Sequence, residues 1–213
     1  MSCKSGSGST SAKDQQQQVE IPKEKNHYGS TQFKGRTLFK VAIVGDLGSG
    51  KSTIEHQLTG QSVTSIGNRY VKPSNLTLNC LNNQEVNVHF FDSLGQERFG
   101  GKLPFSYYRS ADFIFVVYDI TFDVSFTNLP NWLSEAQQPQ INTVAPNILI
   151  IGNKLDLVKE SVRERAISFE QAQTFANQKG LQYLEISAFK GDNCQSIKDY
   201  ITNYINQKIK DEQ

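Results

Sequence analysis

Cysteine is scarce in this chain: Cys3, Cys80 and Cys194 form an odd, widely spaced set. That pattern fits neither a disulfide framework nor a zinc site, so a reducing compartment is expected. No stretch stays apolar for the roughly 18 residues that a spanning helix needs, and the N-terminus lacks the apolar core of a signal peptide. A soluble, cytoplasmic protein is expected. Neither sign of charge is in excess, since 22 Lys and Arg face 21 Asp and Glu for a net +1, and the basic residues are scattered. Such a surface offers no footprint for nucleic acid. Aliphatic residues are nearly missing from residues 1–36, which hold Ser, Gly, Lys and the run Gln15-Gln16-Gln17-Gln18. That segment buries too little to offset its ordering entropy and is expected to be a disordered polar extension. Residues 37–209 suffice for one domain with its own core, before a short polar tail over 210–213.

From Thr37 the chain alternates apolar runs with helical patterns. Strands are predicted at 38–44, as a two-stranded stretch over about 68–80 and 84–91 turning at Asn82-Asn83, and at 113–118, 147–151 and 181–186. Ser168-Phe169-Glu170-Gln171 is a capping box opening a helix that Gly180 closes, and Ile197, Ile201, Tyr204 and Ile205 place an apolar stripe on the last helix. Phe126, Leu129, Trp132, Leu133 and Ala136 also recur at helical spacing. Pro130 is tolerated only in a first turn, so this helix is predicted to start near Asn128. The alternation predicts an α/β fold, a mostly parallel sheet covered on both faces, with ligands at the carboxyl ends of the strands.

One such end reads Gly45-Asp46-Leu47-Gly48-Ser49-Gly50-Lys51-Ser52, a complete G-x-x-x-x-G-K-[ST] loop after an apolar strand. Its glycines let the backbone curl so that several N–H groups point at one anion, and the helix that follows adds its positive dipole end. Lys51 brings charge to the β- and γ-phosphates, and the Ser52 hydroxyl is a Mg²⁺ ligand. A second strand ends in Asp92-Ser93-Leu94-Gly95-Gln96-Glu97-Arg98-Phe99. An acid there faces the loop and holds Mg²⁺ through water, while the Gly95 N–H reaches the γ-phosphate. A third strand runs into Gly152-Asn153-Lys154-Leu155-Asp156. The Asp156 carboxylate accepts two hydrogen bonds from the N1 and N2 edge of guanine, a donor pair adenine lacks, so GTP is selected over ATP. Ile186-Ser187-Ala188 follows the last strand and supplies an N–H for the guanine carbonyl oxygen.

These motifs, in this order and each after a strand, resemble the Ras superfamily of small GTPases. Asp92–Phe99, Tyr107-Tyr108-Arg109-Ser110-Ala111, Val116-Val117-Tyr118-Asp119-Ile120-Thr121 and Ser125–Leu133 resemble its Rab branch, and the resemblance covers about residues 37–209. It implies the P-loop GTPase fold, a six-stranded sheet flanked by helices, and a GTP/GDP switch that relaxes on hydrolysis. It further implies that Ser52 and Ser65 ligate Mg²⁺ directly and Asp92 through water. Gln96 orients the attacking water and, with Lys51, carries catalysis. Gly95 senses the γ-phosphate, and Leu47, Gly48, Ser49, Gly50 and Thr53 belong to the phosphate cradle. Asn153, Lys154, Asp156, Ser187, Ala188 and Phe189 line the guanine pocket. Effectors, an exchange factor and a GTPase-activating protein are the implied partners of a monomer.

The departures cluster at the switch. Thr64-Ser65-Ile66-Gly67 offers serine where the family has threonine, and the segment from Ser52 to Ser65 is short and lacks an aromatic to cover the base. Leu47 replaces a small residue beside the γ-phosphate, and Phe189 stands where the family has lysine. The last residues, Lys208-Ile209-Lys210-Asp211-Glu212-Gln213, carry no prenylation cysteine, so membrane contact is expected to be indirect or through Cys3. Two functions follow: a slowly hydrolysing switch, or a GTP/GDP-binding interaction module that hardly cycles.

Overall fold

Apart from Lys40, β1 (Leu38–Gly45) is apolar, and all of its residues are buried. A strand of that kind needs cover on both faces and belongs in the middle of a parallel sheet. The computed structural model describes Phe33 and residues 35–60, 74–92, 103–138 and 145–213. Within them, β2 (Ser74–Asn79), β3 (Glu85–Asp92), β4 (Phe113–Asp119), β5 (Asn147–Asn153) and β6 (Gln182–Glu185) join β1 in one sheet of order β2-β3-β1-β4-β5-β6. Only β2 pairs antiparallel, with β3; the other neighbours run parallel. β2 alternates exposed and half-buried residues, as an edge strand does, whereas β4 is buried throughout. The β2–β3 hairpin turns through a single 3-10 turn, Leu81–Asn83, where Asn82 and Asn83 take positive φ of 60° and 55°. Asparagine tolerates that left-handed region, which is why the turn falls at this pair.

The helices are α1 (Lys51–Thr59), α2 (Phe105–Tyr108), α3 (Asp123–Thr127), α4 (Leu129–Ala136), α5 (Leu155–Lys159), α6 (Phe169–Gln178) and α7 (Cys194–Asp211). Side-chain alternation divides the core in two. Phe39, Val41 and Ile43 of β1 join Ile54 and Leu58 of α1 and Ile197, Ile201 and Ile205 of α7. On the other face Ala42, Val44, Val116 and Tyr118 join Leu129 and Leu133 of α4 and Ala172 and Ala176 of α6. The α6 cap forms as predicted, with Ser168 Oγ accepting the Gln171 N–H at 3.1 Å. The helix around Pro130 divides in two: α3 ends at Asn128, and α4 begins there with Pro130 in its first turn.

Phe33 and Arg36 fall within the extension expected from the sequence, yet both are buried. Phe33 joins the core beside Phe39 and Tyr204, and its N–H donates to Glu212 Oε1 at 2.7 Å. Arg36 pairs with buried Asp112. The packed chain therefore starts before Thr37, and α7 runs past 209 to Asp211. The expected switch-one run 64–67, with Ser65, and the pair Gly95 and Gln96 lie outside the described residues.

Candidate nucleotide site

The loop after β1 is shaped by two glycines. Gly45 has φ of 139° and abuts the Val117 carbonyl too closely for any Cβ, and Gly50, at φ of 95°, lies just as close to the Asn153 amide. Lys51 opens α1 and is 5% exposed; its Nζ donates to Gly45 O and Asp46 O, both at 2.9 Å. The ammonium is thus held across the loop, on the side where an anion cradled by the loop amides needs a positive charge. Two hydrogen bonds from α4 and its cap fix the loop from outside: Asn128 Nδ2 reaches Asp46 Oδ2 at 2.7 Å, and Trp132 Nε1 reaches Asp46 Oδ1 at 2.8 Å. Leu47, at the tip, is 54% exposed.

The carboxyl end of β3 meets the first turn of α1. Ser52 Oγ donates to Asp92 Oδ2, and among the described residues Asp92 Oδ1 is buried without a hydrogen-bond partner. A hydroxyl beside a carboxylate with one unpaired buried oxygen is a hard oxygen donor set, which suits Mg²⁺. Among the described residues no cluster of three His, Cys, Asp or Glu forms a cage for a metal. The Tyr107 hydroxyl lies against the carbonyls of Ile43 and Phe91, tying the end of β3 to β1. Burial, reinforced by the Asp92 charge, raises its phenol pKa well above the ordinary value, so it stays an O–H donor.

Beside the loop lies a cavity of about 350 Å³ lined by Gly50, Thr53, Asn153, Lys154, Asp156, Leu157, Glu160 and Phe189. Asn153 is a brace: its Nδ2 donates to Ser49 O at 2.9 Å and its Oδ1 accepts the Ala188 N–H at 3.0 Å. The Ala188 N–H expected to meet the guanine carbonyl is thus engaged within the protein. Lys154, at φ of 74°, pairs its Nζ with Asp119 Oδ2 at 2.7 Å, and Asp119 is held in turn by Thr121. Asp156 is 7% exposed and its Oδ1 accepts from Ser187 Oγ at 2.6 Å. Each carboxylate oxygen accepts more than one hydrogen bond, so this contact orients Asp156 without exhausting it. Phe189 stands at the rim, 75% exposed, with Lys190 Nζ 5.6 Å from its ring centre and bonded to Glu160 at 3.0 Å.

A larger cavity, about 610 Å³, lies between β5, β6 and α7 at Asn147, Gln182, Asp199 and Tyr204. It sits at the amino ends of the strands and carries none of the residues predicted to bind nucleotide. The predicted residues converge instead at the carboxyl ends, on one P-loop and one adjoining pocket.

A family model described as Ras family matches residues 40–207. The chain belongs to the Ras family. Human Ras-related protein Rab-30 is 34% identical over 166 residues, covering 75% of this chain and 76% of its own length. Arabidopsis thaliana RABA4a is 35% identical over 190 residues, covering 85% and 79%. The GTP-binding protein ypt3 of Schizosaccharomyces pombe is 33% identical over 159 residues, covering 74% and 71%. The protein is therefore a Rab-like small GTPase, an enzyme of the GTP hydrolase class.

In this Rab-like GTPase the structure assembles Gly48, Ser49, Gly50, Lys51, Ser52 and Asp92 around the loop, and Thr53, Asn153, Lys154, Asp156 and Phe189 around the pocket. Four participants escaped the motifs. Asp119 and Asp46 are single acids after or within patterns that named other residues, and Leu157 lies in α5, with Glu160 as its C-cap; this short helix has no periodic signal.

Proposed function

We propose that this Rab-like GTPase is a GTP/GDP switch that hydrolyses GTP slowly, with its guanine pocket in the cavity beside the loop. One observation carries the proposal: Gly50 and Thr53 line the same cavity as Asp156, so a phosphate cradle and a base-reading carboxylate are continuous. Guanine then donates N1–H and N2–H to Asp156, while Lys154 and Phe189 offer an alkyl stem and a ring to its faces. Adenine lacks that donor pair, so it leaves the buried carboxylate with no partner beyond Ser187 Oγ and is rejected.

The loop amides and Lys51 bind the phosphates. Ser52 and Ser65 would hold Mg²⁺ directly and Asp92 through water, and the ion would supply charge neutralisation for the phosphates. By family resemblance Gln96 orients the attacking water and the Gly95 N–H meets the γ-phosphate. An exposed branched Leu47 beside that phosphate crowds the water and an incoming arginine, which argues for slow turnover without an activating protein. Effectors and an exchange factor complete the cycle of a monomer in the cytoplasm. Among the described residues no helix is long and apolar enough to cross a membrane, and membrane contact is assigned to partners or to Cys3.

Asp156→Asn tests the pocket. The amide loses the guanine donor pair and gains a donor for the xanthine C2 oxygen, so GTP affinity should fall by about 2 kcal/mol, roughly 30-fold, and xanthosine triphosphate should bind better. Equal GTP affinity in both proteins, by competition against a fluorescent nucleotide, would remove Asp156 from the site.

A further inference from the structure

Behind the guanine pocket, on the sheet face opposite α1 and α7, two phenols meet over a glycine. The register places Tyr118 of β4, Gly152 of β5 and Glu185 of β6 side by side, the last row that spans all three strands; Asp119 and Asn153 still pair one residue on. Tyr118 Oη and Tyr183 Oη are 2.7 Å apart, bridging β4 and β6 across the strand between them. Gly152 makes this possible, because a Cβ there would stand 2.7 Å from Tyr183 Oη and 3.0 Å from Tyr118 Oη. Proton counting gives the bridge a direction. Tyr183 donates to Glu185 Oε1 at 2.7 Å, so its single proton is used and Tyr118 is the donor to Tyr183. Arg165 closes the chain with a two-pronged contact to Glu185, at 2.7 and 3.0 Å.

The residues that follow this row are the pocket. Asp119 follows Tyr118 and pairs with Lys154; Asn153 follows Gly152; Ser187, which holds Asp156, lies two residues beyond Glu185. The spacing of the β4 and β6 ends therefore fixes how far Lys154 stands from Asp119 and Asp156 from Ser187. We propose that Tyr118 and Tyr183 are positioning residues for guanine: their hydroxyl bridge across Gly152 sets the width of the base pocket and with it nucleotide retention and base selection. Neither phenol lines the cavity. The proposal rests on the assignment of this cavity to guanine.

Tyr183→Phe is the decisive variant, because it keeps the ring and its packing on Phe169 and removes both hydrogen bonds. Release of fluorescent GDP and of the matching inosine diphosphate, whose base lacks the 2-amino group, is followed by stopped flow, with melting of the GDP-loaded protein alongside. In the wild type, inosine diphosphate leaves faster than GDP. In Tyr183→Phe, GDP release should quicken roughly tenfold while inosine diphosphate release changes little, so the ratio narrows. Tyr118→Phe should do the same, and together the two changes should add little more, since they cut one bridge. A lower melting temperature with an unchanged release ratio would make the bridge a merely structural contact and overturn the proposal. Equal release of both nucleotides from the wild type would overturn the guanine assignment itself.

Discussion

Lys40 is the one charge within β1, 5% exposed, held by the Arg109 carbonyl at 2.8 Å and lying 4.7 Å from the centre of the Phe91 ring. Burial lowers its pKa from 10.5 to about 8, against the opposing pull of Asp112. Between about 8 and 10.5 the unfolded chain binds more protons than the folded one, so stability should rise with pH across that window. Below it the cost of a buried ammonium is fully present. The GDP-loaded protein should gain roughly 3–5 °C in melting temperature between pH 7.5 and 9.5, and Lys40→Met should flatten that slope. A slope of equal size in the variant would assign the effect to other groups. Asp112, which also accepts the Lys40 N–H at 2.8 Å and pairs with Arg36, carries two jobs that no motif marks.

At the scale of elements, α4 is more than cover for the sheet. Its apolar side supplies Leu129, Leu133 and Ala136 to the core, while Trp132 and the cap residue Asn128 turn to Asp46 in the phosphate loop. The loop is thereby clamped from outside by a helix and from inside by Lys51. Trp132→Phe keeps the aromatic area and loses the indole donor, leaving an Asp46 oxygen short of a partner. GDP release should quicken about three- to tenfold, with melting little changed. A fluorescent GDP analogue is the right probe, since Trp132 is the sole tryptophan and its own emission is lost in the variant. Identical release would show that Asn128 suffices to hold the Asp46 side chain without Trp132.

Across the whole molecule the sheet has two ends with different work. The carboxyl ends of the parallel strands carry the loop and pocket proposed for nucleotide, and the amino end of β1 holds a clasp in which Phe33 seals the core and its N–H reaches Glu212, the cap of the last helix. Phe33→Ala should cost about 3 kcal/mol, lowering the melting temperature of the loaded protein by roughly 6–10 °C. GDP release should stay unchanged, because the clasp and the site share neither loop nor hydrogen bond. Faster release would mean that strain at the amino end is transmitted along β1 to the loop.

The phosphate loop, the Asp92 and Asp156 strand ends, the α6 cap and the succession of strands along the chain were legible in the sequence. Each depends on residues close together in sequence, where spacing alone sets geometry. Pro130 likewise told where a helix restarts, though not that α3 would precede it, because a five-residue helix has too short a period to read. The pairings of Asp46 with Trp132, Lys154 with Asp119, Tyr118 with Tyr183 and Phe33 with the core join residues far apart in the chain. Sequence by itself determined what chemistry this protein carries, because chemistry resides in residue types at fixed local spacings. Tertiary structure alone decided what holds that chemistry in place, because a buried polar group must find its partner wherever the fold brings one within about 3 Å.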